Sequence, residues 1–214
     1  MTDFMQIAQA NYQAALTIIE DLRIEETWKE YKAQAHLVGS IKTGLIMCHL
    51  DIDFHIYSDN FCIDDSFAAV GKLALNPRIL KIAYINNCEA EDKCLEWHLE
   101  YKALDNRIWQ IDLIHIMKES PYVGKFERVA DKINTVMTLQ MKKNILQIKW
   151  ELSQNDKKAM GIQIYKAVIE DNISTYAEFL QWQETQQDQQ IIQWEPTLPN
   201  ISKNSFSGKP GSKI

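Results

Sequence analysis

The chain has 214 residues, 46% hydrophobic and 24% charged, which is the composition of a globular protein with one large domain or two small ones. Its net charge of −6 argues against a surface that grips nucleic acid all over. The four cysteines, Cys48, Cys62, Cys88 and Cys94, include no C-x-x-C pair, so neither a zinc site nor a redox motif is expected.

No basic stretch followed by an apolar core opens the chain, so no secretory leader is expected. No apolar run approaches the roughly 20 residues that span a bilayer. Reduced thiols and a cytoplasmic location are the corresponding expectation. Residues 3–35 carry Phe4, Ile7, Ala8, Tyr12, Ala15, Ile18, Ile19 and Leu22 at helical spacing, which predicts helix with a break near Asp21. A short strand over 36–38 leads into Gly39. A short helix is expected over 41–47 and a strand over 50–57. Asp64, Asp65 and Ser66 are candidate caps for a helix over about 66–75, ended by Asn76-Pro77.

RILKIAYI (78–85) is a strand candidate. CLEWHLEYKAL (94–104) and RIWQIDLIHI (107–116) form an expected antiparallel hairpin. A two-residue turn would pair Leu99 with Asp112. A three-residue loop over 105–107 would pair Glu100 with Asp112 and bring Glu96 and His98 to its face. After Pro121 the pattern is helical from Phe126 to Leu152, then over KKAMGIQIYKAVIED and about 174–187. The whole predicts an α+β fold, a mixed sheet flanked by helices with a helical C-terminal half. Its expected parts are a helical segment 1–35, a core 36–118, a helical region 119–190 and a structureless tail 191–214.

The chemistry is concentrated in LVGSIKTGLIMCHLDIDFHIY. In a strand, Leu50, Ile52, Phe54 and Ile56 face one way, and Asp51, Asp53, His55 and Tyr57 the other. Adjacent like charges raise each other's pKa unless a cation intervenes. Mg²⁺ prefers a few carboxylate oxygens together with substrate phosphates. Gly39 allows close backbone approach, and Ser40 with the following amides can donate to a phosphate. Lys42 is a further candidate phosphate contact. Asp112, among apolar residues of a strand, is the candidate third carboxylate. His55 could contact substrate, with a structural role expected.

Gly39-Ser40, the gap, D-I-D-F and a later strand Asp resemble the signature of the nucleotidyltransferase superfamily of DNA polymerase β. CLEWHLEY and WQIDLIHI are also similar to a bacterial nucleotidyltransferase-like branch. The resemblance implies a nucleotidyltransferase-like core over 36–118 that uses Mg²⁺ (or Mn²⁺) and an NTP such as ATP. It implies that Asp51, Asp53 and Asp112 are catalytic metal ligands, with Asp112 able to act as base. Gly39 and Ser40 would contact the triphosphate. IKTGLIMCHL is more apolar than the corresponding stretch of many members.

The acidic balance points to a small-molecule or protein hydroxyl as acceptor and away from nucleic acid and membrane. A polymerase-like or tRNA-modifying enzyme needs a basic channel that the charge pattern does not display. The alternative is a non-catalytic nucleotide-binding or partner-binding module, as in toxin–antitoxin pairs.

Overall fold

The computed structural model describes residues 3–186 and 193–198. The N-terminal helical pattern folds as α1 (Phe4–Leu22) and α2 (Ile24–Glu30). Arg23 between them is left-handed, with φ 49°, so the break falls close to Asp21. Helix does not continue to residue 35. Lys32 turns the chain at φ 56°, and β1 (Ala33–Val38) pairs antiparallel with β2 (Asp51–Ser58). Sheet pairing overrides the weak helical preference of these residues.

One sheet of five strands has the order β1-β2-β5-β4-β3. Its other members are β3 (Ile79–Asn86), β4 (Cys94–Lys102) and β5 (Ile108–Ile116). Among the described residues, β2 and β5 alone run parallel. α4 (Ile63–Leu73), β3 and β4 make the crossover between them, which parallel neighbours require. α4 starts earlier than expected, so Asp64 and Asp65 lie in its first turn, where they favour the helix dipole.

One sheet face is apolar. Ile52, Phe54, Ile56, Leu95, Trp97, Leu99, Trp109, Ile111 and Leu113 are buried there with residues of α1, α2 and α4. Each large apolar side chain contributes about 1.5–3 kcal/mol on burial. A one-residue slip would turn that face outward, so its alternation fixes which side chains stand opposite. The opposite face carries Asp51, Asp53, Gln110, Asp112, Glu96 and His98.

The β4–β5 hairpin follows neither register considered above. The Ala103 amide donates to the Arg107 carbonyl at 2.9 Å, and the Asn106 amide to the Ala103 carbonyl at 3.0 Å. Asn106 is left-handed at φ 66°. A turn closed by one left-handed residue is a favoured hairpin loop, and Asn tolerates that conformation. The result sets His98, not Leu99 or Glu100, opposite Asp112. Asn106→Gly should leave stability to urea within a few tenths of a kcal/mol, whereas Asn106→Val should lose about 1–2 kcal/mol. Equal stabilities would remove the left-handed residue as the cause of this register.

The C-terminal half consists of α5 (Lys125–Val136), α6 (Leu139–Gln154), α7 (Gly161–Ile169) and α8 (Tyr176–Glu184). The continuous helical pattern is divided because the Thr138 hydroxyl accepts from the Met141 amide at 3.1 Å and caps α6. Ile133, Ile145, Ile148, Phe179 and Trp182 form a second core, and Leu45 of the loop before β2 is buried in it. The expected structureless tail differs over residues 193–198. Trp194 is buried in the helical core, and Glu195 pairs with Lys132 at 2.6 Å, so apolar and ionic contacts hold this stretch. Residues 191–192 and 199–214 of that tail lie outside the described residues. Among the described residues no helix is long and apolar enough to cross a membrane.

Candidate functional site

Asp53 and Asp112 are direct partners across the parallel pair β2–β5. Their side chains therefore share a face, and Asp51 projects on that face one pleat earlier. Val38, the last residue of β1, is the partner of Asp53 on the other side. The next residue, Gly39, has φ +65°, and a Cβ there would lie 2.1 Å from Asp53 Oδ2. Only glycine lets this turn press against the second carboxylate. Ser40 lies in the single turn α3 (Gly39–Lys42), and its hydroxyl is buried without a hydrogen-bond partner.

Gly39, Asp51, Asp53 and Asp112 thus meet at one place, with Ser40 beside them in the chain. Lys42 does not join them. Its ammonium lies 3.5 Å from Asp131 of α5, and its side chain borders a separate cleft with Lys142.

The charges of this group are poorly compensated. Burial, then Asp51, then Asp112 push the pKa of Asp53 up to about 7. Lys149 and His49 oppose that rise. Asp112 is held by its neighbours. His98 Nδ1 is 2.6 Å from Oδ1, and Gln110 Nε2 donates to both oxygens at 2.9 and 3.1 Å. His98 Nε2 is 3.1 Å from Glu96 Oε2. Burial disfavours the charged imidazole, but Asp112 and then Glu96 outweigh it and raise its pKa.

Among the described residues, no three His, Cys, Asp or Glu side chains already stand as a metal-holding group. The donor set nonetheless fits Mg²⁺ or Mn²⁺, which take carboxylate oxygens. A half-buried carboxylate crowded by two others and an orphaned hydroxyl nearby are what a cation with its phosphate would satisfy.

His55 is buried one pleat beyond Asp53. Its Nδ1 lies 3.2 Å from Glu127 Oε1, which also accepts from the Tyr57 hydroxyl at 2.9 Å. This cluster ties β2 to α5, the structural role expected for His55. His115 lies on the apolar side of the sheet, and burial lowers its pKa to about 4.

Two groups carry no functional signal in the sequence. His49 Nδ1, two residues before Asp51 in the chain, is 3.5 Å from its Oδ2. Lys149 of α6 donates to the Leu45 carbonyl at 2.8 Å and to the Tyr165 hydroxyl at 3.0 Å. A cleft of about 770 Å³ runs between the halves beside Asp51 and is lined by His49, Lys149, Lys157, Lys158 and Met160 among others. Among the described residues, none of these three lysines is in an ion pair with a carboxylate.

No protein-family model matches the chain, and no curated protein matches it. Solved structures do. A cytoplasmic RNA terminal U-transferase is 11% identical over 73% of this chain and 44% of its own, with a TM-score of 0.53. The Cid1 poly(U) polymerase bound to MgATP is 12% identical over 70% of this chain and 45% of its own, also at 0.53. The GLD-2/RNP-8 complex is 12% identical over 74% of this chain and 59% of its own, at 0.50. The likeness is one of fold, and the chain spans about half the length of these proteins.

One expectation is corrected. Net charge disfavours nucleic acid as a partner, yet one matched protein is an RNA terminal U-transferase. A net charge averages the whole surface, whereas binding follows the local field, and Lys149, Lys157 and Lys158 line one cleft.

Proposed function

We propose that this chain, which has the nucleotidyltransferase fold of the DNA polymerase β superfamily, moves a nucleoside monophosphate from an NTP to the 3′-hydroxyl of an RNA. The observation that carries this reading is the pairing of Asp53 with Asp112 beneath a glycine turn that touches the Asp53 carboxylate. The matched RNA terminal U-transferase supports the acceptor class, and the lysine-lined cleft beside Asp51 suits a triphosphate.

Asp51, Asp53 and Asp112 would hold Mg²⁺ or Mn²⁺, which when bound polarises the phosphate and offsets developing charge. The Ser40 hydroxyl donates to a phosphate oxygen, and Lys149, Lys157 and Lys158 balance the triphosphate. Asp112 takes the proton of the acceptor hydroxyl as that oxygen attacks the α-phosphorus. The bond from the α-phosphorus to the β-bridging oxygen breaks, and pyrophosphate leaves. His49 steadies Asp51.

Extension of a 3′-hydroxyl RNA oligonucleotide, with Mg²⁺ and each NTP in turn, tests this directly, with Asp51→Asn as the control. A folded chain that binds Mg·NTP by calorimetry but extends no RNA would overturn it. The engaged oxygens of Asp112 favour one second reading, a nucleotide-binding module without turnover, and that result would support it. The Lys157→Ala/Lys158→Ala double variant should raise the KM for NTP about tenfold with a smaller change in kcat, as loss of uniform binding does. An unchanged KM would remove this cleft as the triphosphate site.

A further inference from the structure

We propose that His98, backed by Glu96, is a positioning residue that fixes the orientation of the Asp112 carboxylate, an inference that rests on the nucleotidyltransferase reading. Asp112 stands beside Asp53 on the same sheet face and near Asp51, so repulsion acts to swing it away from them. An aspartate on a strand is free to rotate unless hydrogen bonds hold it. Here both oxygens are held. Gln110, two residues earlier on β5, reaches them from one side. His98, the direct partner on β4, takes Oδ1 at 2.6 Å from the other.

The histidine is itself fixed. Its Nε2 lies 3.1 Å from Glu96 Oε2, and the Asn87 side chain donates to Glu96 Oε1 at 2.6 Å. The chain of contacts therefore runs from a β3–β4 residue through Glu96 and His98 to Asp112. Carboxylate–imidazole pairs of this kind orient reactive groups, and losing such outer partners typically costs 10–100-fold in metal affinity or activity. Ala83 occupies the corresponding place on β3, so no other polar side chain on that neighbouring strand can replace His98 there.

The test uses the full chain and Mn²⁺ alone, by calorimetry, on wild type, His98→Ala, Asp112→Ala and the double variant. His98→Ala should weaken Mn²⁺ binding about tenfold. The double variant should bind no more weakly than Asp112→Ala, because His98 acts through Asp112. His98→Asn keeps a donor near the Nδ1 position and should recover most of the loss. In RNA extension, His98→Ala should lower kcat about 10–100-fold with the KM for NTP within about twofold.

Additive losses in the cycle, or Mn²⁺ affinity unchanged in His98→Ala, overturn the proposal. If His98→Ala does not fold, Glu96→Gln, alone and combined with Asp112→Ala, carries the same cycle. If wild type extends no RNA but the Mn²⁺ cycle is non-additive, the transfer reading fails while the positioning of Asp112 stands. If wild type extends RNA and the cycle is additive, the positioning role alone falls.

Discussion

Asp53→Asn is expected to abolish nucleotidyl transfer and, in the absence of divalent cation, to make the protein more stable. The loss follows from removing a carboxylate between Asp51 and Asp112. It should reach at least about 10³-fold, or ~4 kcal/mol of transition-state stabilisation. The gain in stability follows from the same charges. Burial and two neighbouring carboxylates raise the pKa of Asp53 from 3.8 to about 7.

For a carboxylate, a raised folded-state pKa means that the folded chain binds the proton more tightly than the unfolded chain. Below about pH 3.8 both states are protonated and Asp53 costs nothing. The cost grows as pH rises through that range and is complete above about 7. Asparagine removes it. The Tm of Asp53→Asn should match wild type near pH 4 and exceed it by several degrees at pH 8, at about 2–4 °C per kcal/mol relieved. Mn²⁺ should raise the Tm of wild type at pH 8 and hardly move that of the variant. A variant less stable than wild type at pH 8 without cation would mean that the carboxylate is compensated within the fold.

Gly39→Ala should cripple transfer about 100-fold, since misplacing a reacting group by an ångström has that effect. A methyl group at this position would sit 2.1 Å from Asp53 Oδ2 and 2.8 Å from its Cγ. The left-handed backbone at φ +65° adds a second cost. Together they should lower stability by about 1–3 kcal/mol. In an Asp53→Ala background most of the collision is gone, so the same substitution should cost only the backbone part, about 1 kcal/mol. Urea unfolding of the four proteins separates the two causes. An equal cost in both backgrounds would show that the glycine serves the turn and not the carboxylate.

These two residues show where sequence reasoning works. The alternation of L-D-I-D-F-H-I-Y is a property of the strand itself, so the face of Asp51 and Asp53 could be read directly. The apolar partners of that alternation, Ile52, Phe54 and Ile56, are buried in the sheet core. Helical spacing likewise gave the helices, with errors at their ends. α6 begins at a threonine cap inside an unbroken apolar pattern, and β1 starts within residues that also suit a helix. Local propensity there is weaker than the pairing or capping that decides it.

The hairpin shows the limit. The expected loops span 105–106 or 105–107, whereas the chain closes over 104–106, because one left-handed asparagine shifts the turn by a residue. That shift brings His98 to Asp112. Net charge misled in a similar way, by averaging a surface on which Lys149, Lys157 and Lys158 stand together.

The sequence by itself determined the mixed α+β plan, the shared face of the two β2 aspartates, the glycine that opens α3 and the placement of Asp112 in a strand, because each depends on short-range periodicity or on residue type. The tertiary structure alone decided that Asp53 lies level with Asp112 and that Gly39 touches Asp53. It also decided that Lys42 turns to Asp131 while Lys149 comes to the cleft. Those are contacts between residues far apart in the chain. They are set by strand register and by packing between the two cores, which no local pattern encodes.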